Sequence, residues 1–172
     1  MDARGNMRVF ILPGNVRTIL KTGNGLKIEF DGTKFIYQDG SLPDSTIEVV
    51  VTECIRQGDF IKSNISTLSD HKLLVSGGAY HIQVYCKGKL LQLKENDSLT
   101  IHLPRYSEDE MALFYGITDS LNQVNWKPAN KILTPAKRAS LLSEQSDSID
   151  SAIEPDYYNP IKLKDLGWIN CD

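Results

Sequence analysis

The chain has 172 residues, 41% hydrophobic and 24% charged, with 19 basic against 22 acidic side chains and a formal net charge of −3. That size suits one domain burying roughly 70% of its unfolded surface in a real core, and the charge balance lacks the basic footprint of a nucleic-acid binder. No apolar run exceeds strand length, which excludes a membrane-spanning helix. The first residues hold no signal-peptide core; three cysteines (Cys54, Cys86, Cys171) without Cys-x-x-Cys exclude a zinc ribbon and a thioredoxin motif, and their odd number at wide spacing is no disulfide framework, leaving room for one pair and one free thiol.

Turn signals recur at short intervals along residues 13–97: Pro13-Gly14-Asn15, Gly23-Asn24-Gly25, Asp31-Gly32, Asp39-Gly40, Gly77-Gly78, Lys87-Gly88 and Glu95-Asn96-Asp97. Between them the apolar period is two, as half-buried strands require. Leu26, Ile28 and Phe30 share a face against Lys27 and Glu29. Ile47, Val49 and Val51 do so against Glu48 and Thr52. Tyr80, Ile82, Val84 and Cys86 oppose His81, Gln83 and Tyr85, and Leu99, Ile101 and Leu103 oppose Thr100 and His102. Residues 80–93 read as a hairpin turning at Lys87-Gly88, and Gly77-Gly78 as a bulge or sharp bend. No amphipathic helix is predicted before residue 130. Short helical turns are predicted near residues 107–111 and 135–142. Tyr115 and Trp126 are expected on adjacent strands joined around Asp119-Ser120-Leu121-Asn122, in cross-strand contact. Residues 135–160 lose periodicity, and Ser143-Glu144-Gln145-Ser146-Asp147-Ser148 reads as solvated, poorly ordered linker. Order returns in a short strand over Leu166-Gly167-Trp168-Ile169-Asn170-Cys171. A strand so near the last residue suggests a piece of a longer parent protein.

Few residues suggest chemistry. His81 and His102 fall on polar strand faces, and neutral imidazoles ligate zinc; a metal-dependent hydrolase using this pair is one reading. A third ligand is missing, and Glu29, Glu48 and Glu53 are arbitrary choices for it. Cys86 shares a face with Val84 and Ile82 and reads as a small buried hydrophobe; Cys54, after Glu53 at a strand end, lacks a paired base. Gly-x-Ser-x-Gly and the phosphate-cradling glycine motifs are absent. Asn64-Ile65-Ser66 fits a glycosylation triplet, and the acidic turn residues fit turns better than calcium. Tyr85, Tyr106, Tyr115, Trp126, Tyr157, Tyr158 and Trp168 supply a second alternative, a glycan-stacking surface, although their spacing gives no shared face. No catalytic, cofactor or metal residue is assigned.

The order of elements resembles a known pattern. Leu26-Lys27-Ile28-Glu29-Phe30, Phe35, Asp39-Gly40 and Ile47-Glu48-Val49-Val50-Val51-Thr52-Glu53 resemble the opening of a ZU5-type β-sandwich. Ser66-Thr67-Leu68-Ser69, Leu73-Leu74-Val75-Ser76-Gly77-Gly78-Ala79-Tyr80, Lys87-Gly88-Lys89-Leu90-Leu91-Gln92-Leu93 and Ile101-His102-Leu103-Pro104 continue the likeness to a group of uncharacterised bacterial envelope proteins. Met111-Ala112-Leu113-Phe114-Tyr115-Gly116, Val124-Asn125-Trp126 and the stretch from Leu166 to Asp172 fit that group too. The resemblance covers residues 16–126 and the last dozen. It implies a two-sheet antiparallel sandwich, a periplasmic or cell-surface parent protein, and a binding or scaffolding role. Some ZU5 relatives cleave themselves at His-Phe-Ser; here His71-Lys72-Leu73, His81-Ile82-Gln83 and His102-Leu103-Pro104 lack the nucleophile. The expectation is therefore an all-β, ZU5-like sandwich over 1–130, a linker over 131–160, and a short strand within 161–172. That strand either packs back on the sandwich or begins the next part of a longer protein. The module is expected to be non-catalytic and to bind a protein or envelope component, with the loops at Gln57-Gly58-Asp59 and Ser69-Asp70-His71 as contact surfaces.

Overall fold

The computed structural model describes residues 6–65, 68–69, 72–73, 77–121, 123–137 and 155–172. In chain order the strands are β1 (Met7–Leu12), β2 (Arg17–Lys21), β3 (Lys27–Asp31), β4 (Phe35–Tyr37), β5 (Ile47–Cys54), β6 (Leu68–Ser69), β7 (Lys72–Leu73), β8 (Gly78–Cys86), β9 (Lys89–Leu93), β10 (Leu99–His102), β11 (Met111–Thr118), β12 (Val124–Leu133), β13 (Ile161–Leu163) and β14 (Gly167–Cys171), with helix α1 (Gln57–Lys62) after β5. Sheet A runs β1-β5-β8-β14-β11-β12, with β9 and β4 branching from β8; sheet B runs β13-β10-β3-β2; β6 and β7 form a small ribbon. Sheets A and B are antiparallel throughout and make the two layers of a β-sandwich.

The period-two faces of the sequence point where the alternation places them. Ile47, Val49, Val51, Tyr80, Ile82, Val84 and Cys86 come from sheet A, and Ile28, Phe30, Leu99 and Ile101 from sheet B. All are buried in one core between the layers. Each such side chain contributes about 1.5–3 kcal/mol through lost apolar hydration. The β8–β9 hairpin turns at Lys87 and Gly88, both with positive φ (50° and 72°), which matches the right-handed twist of the flanking strands. Asp44 accepts a 2.8 Å hydrogen bond from Lys87 Nζ across this turn.

Three local expectations are corrected. A helix does precede residue 130: α1 is short, and the Asp59 carboxylate caps it by accepting from the Ile55 and Arg56 amides at 3.2 and 2.9 Å. Residues 107–111 bend without a helical turn. In the β11–β12 hairpin, Trp126 pairs with Gly116 and Tyr115 with Lys127, so Tyr115 and Trp126 lie on opposite faces of the sheet. Residues 131–133 complete β12, and Pro135 bridges to Tyr158. Residues 138–154, including the Ser143–Ser148 stretch and part of the second predicted helical turn, lie outside the described residues. β13 pairs with β10, and β14 sits between β8 and β11.

Sheet A is also covered on part of its outer face. Phe60 and Ile65, from α1 and its exit, pack with Cys54, Ala79, Val124 and Trp126 in a second, smaller core. One cross-strand row on that face reads Met7, Thr52, His81, Trp168, Gly116, Trp126 through six strands. Gly116 leaves the space in which Trp126 and Trp168 meet edge to face, at 6.3 Å and 87°. A Cβ there would lie 2.5 Å from Trp168 Cβ and 2.6 Å from Val124 Cγ1. Gly116→Ala is therefore expected to destabilise the fold by about 1–3 kcal/mol through overpacking. Gly58→Ala, which meets nothing within 4 Å in α1, is expected to stabilise it by up to about 1 kcal/mol through helix propensity. Urea unfolding midpoints of the two variants read both signs.

Candidate functional site

The ionisable and aromatic residues gather in two places on sheet A. The first is the outer row. β8 alternates His81 outward, opposite Trp168 of β14, and the two rings stack at 4.5 Å and 8°. Burial pulls the His81 pKa down from 6.5 to about 4, because a charged imidazole loses hydration there. The ring is accordingly neutral at pH 7. Beside it, β8 changes neighbours: Ile82 pairs with Gly167 of β14, while Tyr85 pairs with Leu90 of β9. The fork opens a cleft of about 510 Å³ that includes His81, Gln83, Gln92, Glu95, Lys164 and Asp165 in its lining. Amides, a neutral imidazole, two carboxylates and one ammonium can hydrogen-bond a ligand there. Among the described residues no group of three His, Cys, Asp or Glu side chains could hold a metal ion.

The second place is Glu53. It continues the inward face of Ile47, Val49 and Val51 at the end of β5, so alternation carries a carboxylate to the rim of the core, where it is 2% exposed. Both oxygens are occupied: Thr22 Oγ1 donates to Oε1 at 2.6 Å and Asn24 Nδ2 to Oε2 at 3.1 Å. Burial raises the Glu53 pKa above its ordinary 4.5, while these two hydrogen bonds and the nearby Arg8 charge oppose the rise. Thr22 Oγ1 also accepts from the Leu26 amide at 3.0 Å. Tyr106 donates its hydroxyl to Asn24 O, and Tyr157 to Gly25 O at 2.9 Å. The whole group clamps the β2–β3 turn onto β5.

The other predicted candidates disperse. His102, on the outer face of sheet B, bonds Glu29 Oε1 at 2.7 Å, so the complete core separates it from His81. Sheets pack about 10 Å apart and zinc–nitrogen bonds are about 2 Å, so the two imidazoles cannot share an ion. All three cysteines are free and buried. Burial raises the Cys54 pKa and pushes that of Cys171 up to about 12, the opposite of an activated thiolate. Trp126 is fully buried and Tyr158 nearly so, which removes them from any stacking platform. Gln57-Gly58-Asp59 opens α1 and is not a loop. Asp70, His71 and Ser66 of the glycosylation triplet lie outside the described residues.

Sequence reading assigned no role to the Glu53 clamp, because Thr22 and Asn24 lie 31 and 29 residues away. A carboxylate in the inward phase of an apolar alternation was the available signal. No family model, curated protein or solved structure matches the chain.

Three stability outcomes follow from these environments. The His81 contribution is full above its unfolded value near 6.5 and is lost as pH falls toward about 4, by up to about 3 kcal/mol. His81→Phe keeps the stack and should flatten that acid limb in urea midpoints measured against pH. For Glu53 the sign reverses. Its raised pKa makes the group most favourable below 4.5 and less so as pH rises through the folded value, so Glu53→Gln should gain on wild type with rising pH. Thr22→Val leaves a buried acceptor without its donor and should cost about 1–3 kcal/mol at neutral pH.

Proposed function

We propose that the chain is a non-catalytic binding or scaffolding module that positions another macromolecule. The observation that carries this reading is the state of the buried ionisable groups. Glu53 is closed by Thr22 and Asn24, and neutral His81 is covered on one face by Trp168. The Thr22 hydroxyl bonded to Glu53 is 5% exposed and also accepts from the Leu26 amide, so it is committed to the β2–β3 turn and is not poised for attack.

A contact surface is available on the outer face of sheet A beyond α1. There Ile11 of β1, Glu48 of β5, Tyr85 of β8 and Leu90 of β9 form one cross-strand row. Ile11 is 68% and Leu90 54% exposed, and Val9 one row away is 48% exposed. Apolar side chains gathered on a sheet face mark interaction surfaces. The bacterial-envelope setting, periplasmic or at the cell surface, and the ZU5-like assignment rest on the sequence resemblance.

Cross-linking of the full chain in its native cells is expected to yield recurrent links from Lys164, at the margin of that face, to one partner protein or envelope polymer. The purified chain is expected to show no turnover of ester, phosphate or glycoside substrates. Turnover that disappears in His81→Ala or Glu53→Gln would replace the binding reading with an enzymatic one.

A further inference from the structure

Sheet edges are templates for further strands, and proteins commonly guard them with charge, proline, bulges or shortness. Among the described residues, the edges of this sandwich differ in that respect. β12 carries Lys127, Pro128 and Lys131, and its pairing with β11 shifts register at Leu113/Phe114. β2 is bounded by Arg17 and Lys21. β13 has three residues with Lys162 at its centre, and β4 has three. β1 is the least guarded of the long edges: it holds no proline or register shift and one charge. It is six residues long, reads Met-Arg-Val-Phe-Ile-Leu, and pairs only with β5 among the described residues. That charge, Arg8, is exposed and stands in the inward phase, near Gly23 and within the field of Glu53, off the outward row of β1. The outward phase is Met7, Val9 and Ile11, with Val9 and Ile11 standing largely in water.

We propose that β1 pairs antiparallel with β1 of a second copy of this chain, about a twofold axis at Val9. The occupant follows from charge and symmetry. A strand bearing an outward charge would set it against Met7, Val9 or Ile11 without a counter-ion, whereas β1 itself bears none. Centring the ladder on Val9 puts Met7 opposite Ile11 of the second copy and Val9 opposite Val9. It puts Arg8 opposite Phe10, so no like charges face each other. Centring it on Phe10 would set Pro13, which has no N–H to donate, opposite Met7. An isologous pair uses both open edges and closes, leaving guarded β12 at each end of the joined sheet. The two outer faces then lie on the same side, so the dimer presents two copies of the contact surface together.

Light scattering of the full chain, from micromolar to sub-millimolar concentration, is expected to give twice the chain mass. Residues on the axis sit about 4.5–5.5 Å apart between Cα atoms, within disulfide reach. Val9→Cys, against a background of buried cysteines, should therefore cross-link to itself under mild oxidation, while Ile19→Cys on the exposed face of β2 should not. Val9→Lys sets two ammonium groups face to face and should weaken the dimer at least about tenfold. Three results would overturn the proposal: monomer mass throughout with no Val9→Cys cross-link, a dimer that Val9→Lys leaves intact, or cross-linking by Ile19→Cys instead. The binding reading fails on turnover and the pairing on oligomeric state, so either can fall without the other.

Discussion

The fold depends on where β14 is seated. Its five residues hydrogen-bond with β8 on one side and β11 on the other. Ile169 and Cys171 enter the main core, while Trp168 and Asn170 turn to the outer face, where Asn170 is fully buried. Without this strand the β11–β12 hairpin would lose its ladder to the rest of sheet A, and Met111 and Leu113 would lose the side-chain layer beside them. A late segment thus closes an early framework, at the cost of long-range pairing before any local reward.

That closure consumes most of the polar and aromatic chemistry in the chain. The stack of His81 on Trp168 and the edge contact of Trp168 with Trp126 hold β8, β14 and β12 together above Gly116. The Glu53 clamp fixes the β2–β3 turn against β5, tying the two layers at one end. Desolvation moves both groups in the direction that disfavours their charged forms. On the outer face of sheet A, Val9, Ile11 and Leu90 remain exposed beside Glu48 and Tyr85.

Which residues face inward was legible in the sequence. The alternations at residues 47–51, 80–86 and 99–103 predicted the core because side-chain direction in a strand is a local property. Neighbour relations were not legible. Period two fixes a face and not a partner, so nothing in Leu166-Gly167-Trp168-Ile169-Asn170-Cys171 indicated that it would sit between β8 and β11. The expected Tyr115–Trp126 contact failed on register alone, since pairing Trp126 with Gly116 sends Tyr115 to the other face. α1 escaped notice because six residues including a glycine carry too little periodicity, and only Asp59 signalled its start. The separation of His81 from His102 shows the same limit: both were read as outward on their strands, and only the sheet assignment puts them on opposite sides of the molecule.

Removal of residues 167–172 tests the central role of β14 most directly, with unfolding followed by tryptophan fluorescence and circular dichroism. The account predicts that the shortened chain loses its cooperative transition and that Trp126 emission moves to the wavelength of a hydrated indole. A shortened chain that unfolds cooperatively at the full-length midpoint, with Trp126 still shielded, would contradict it.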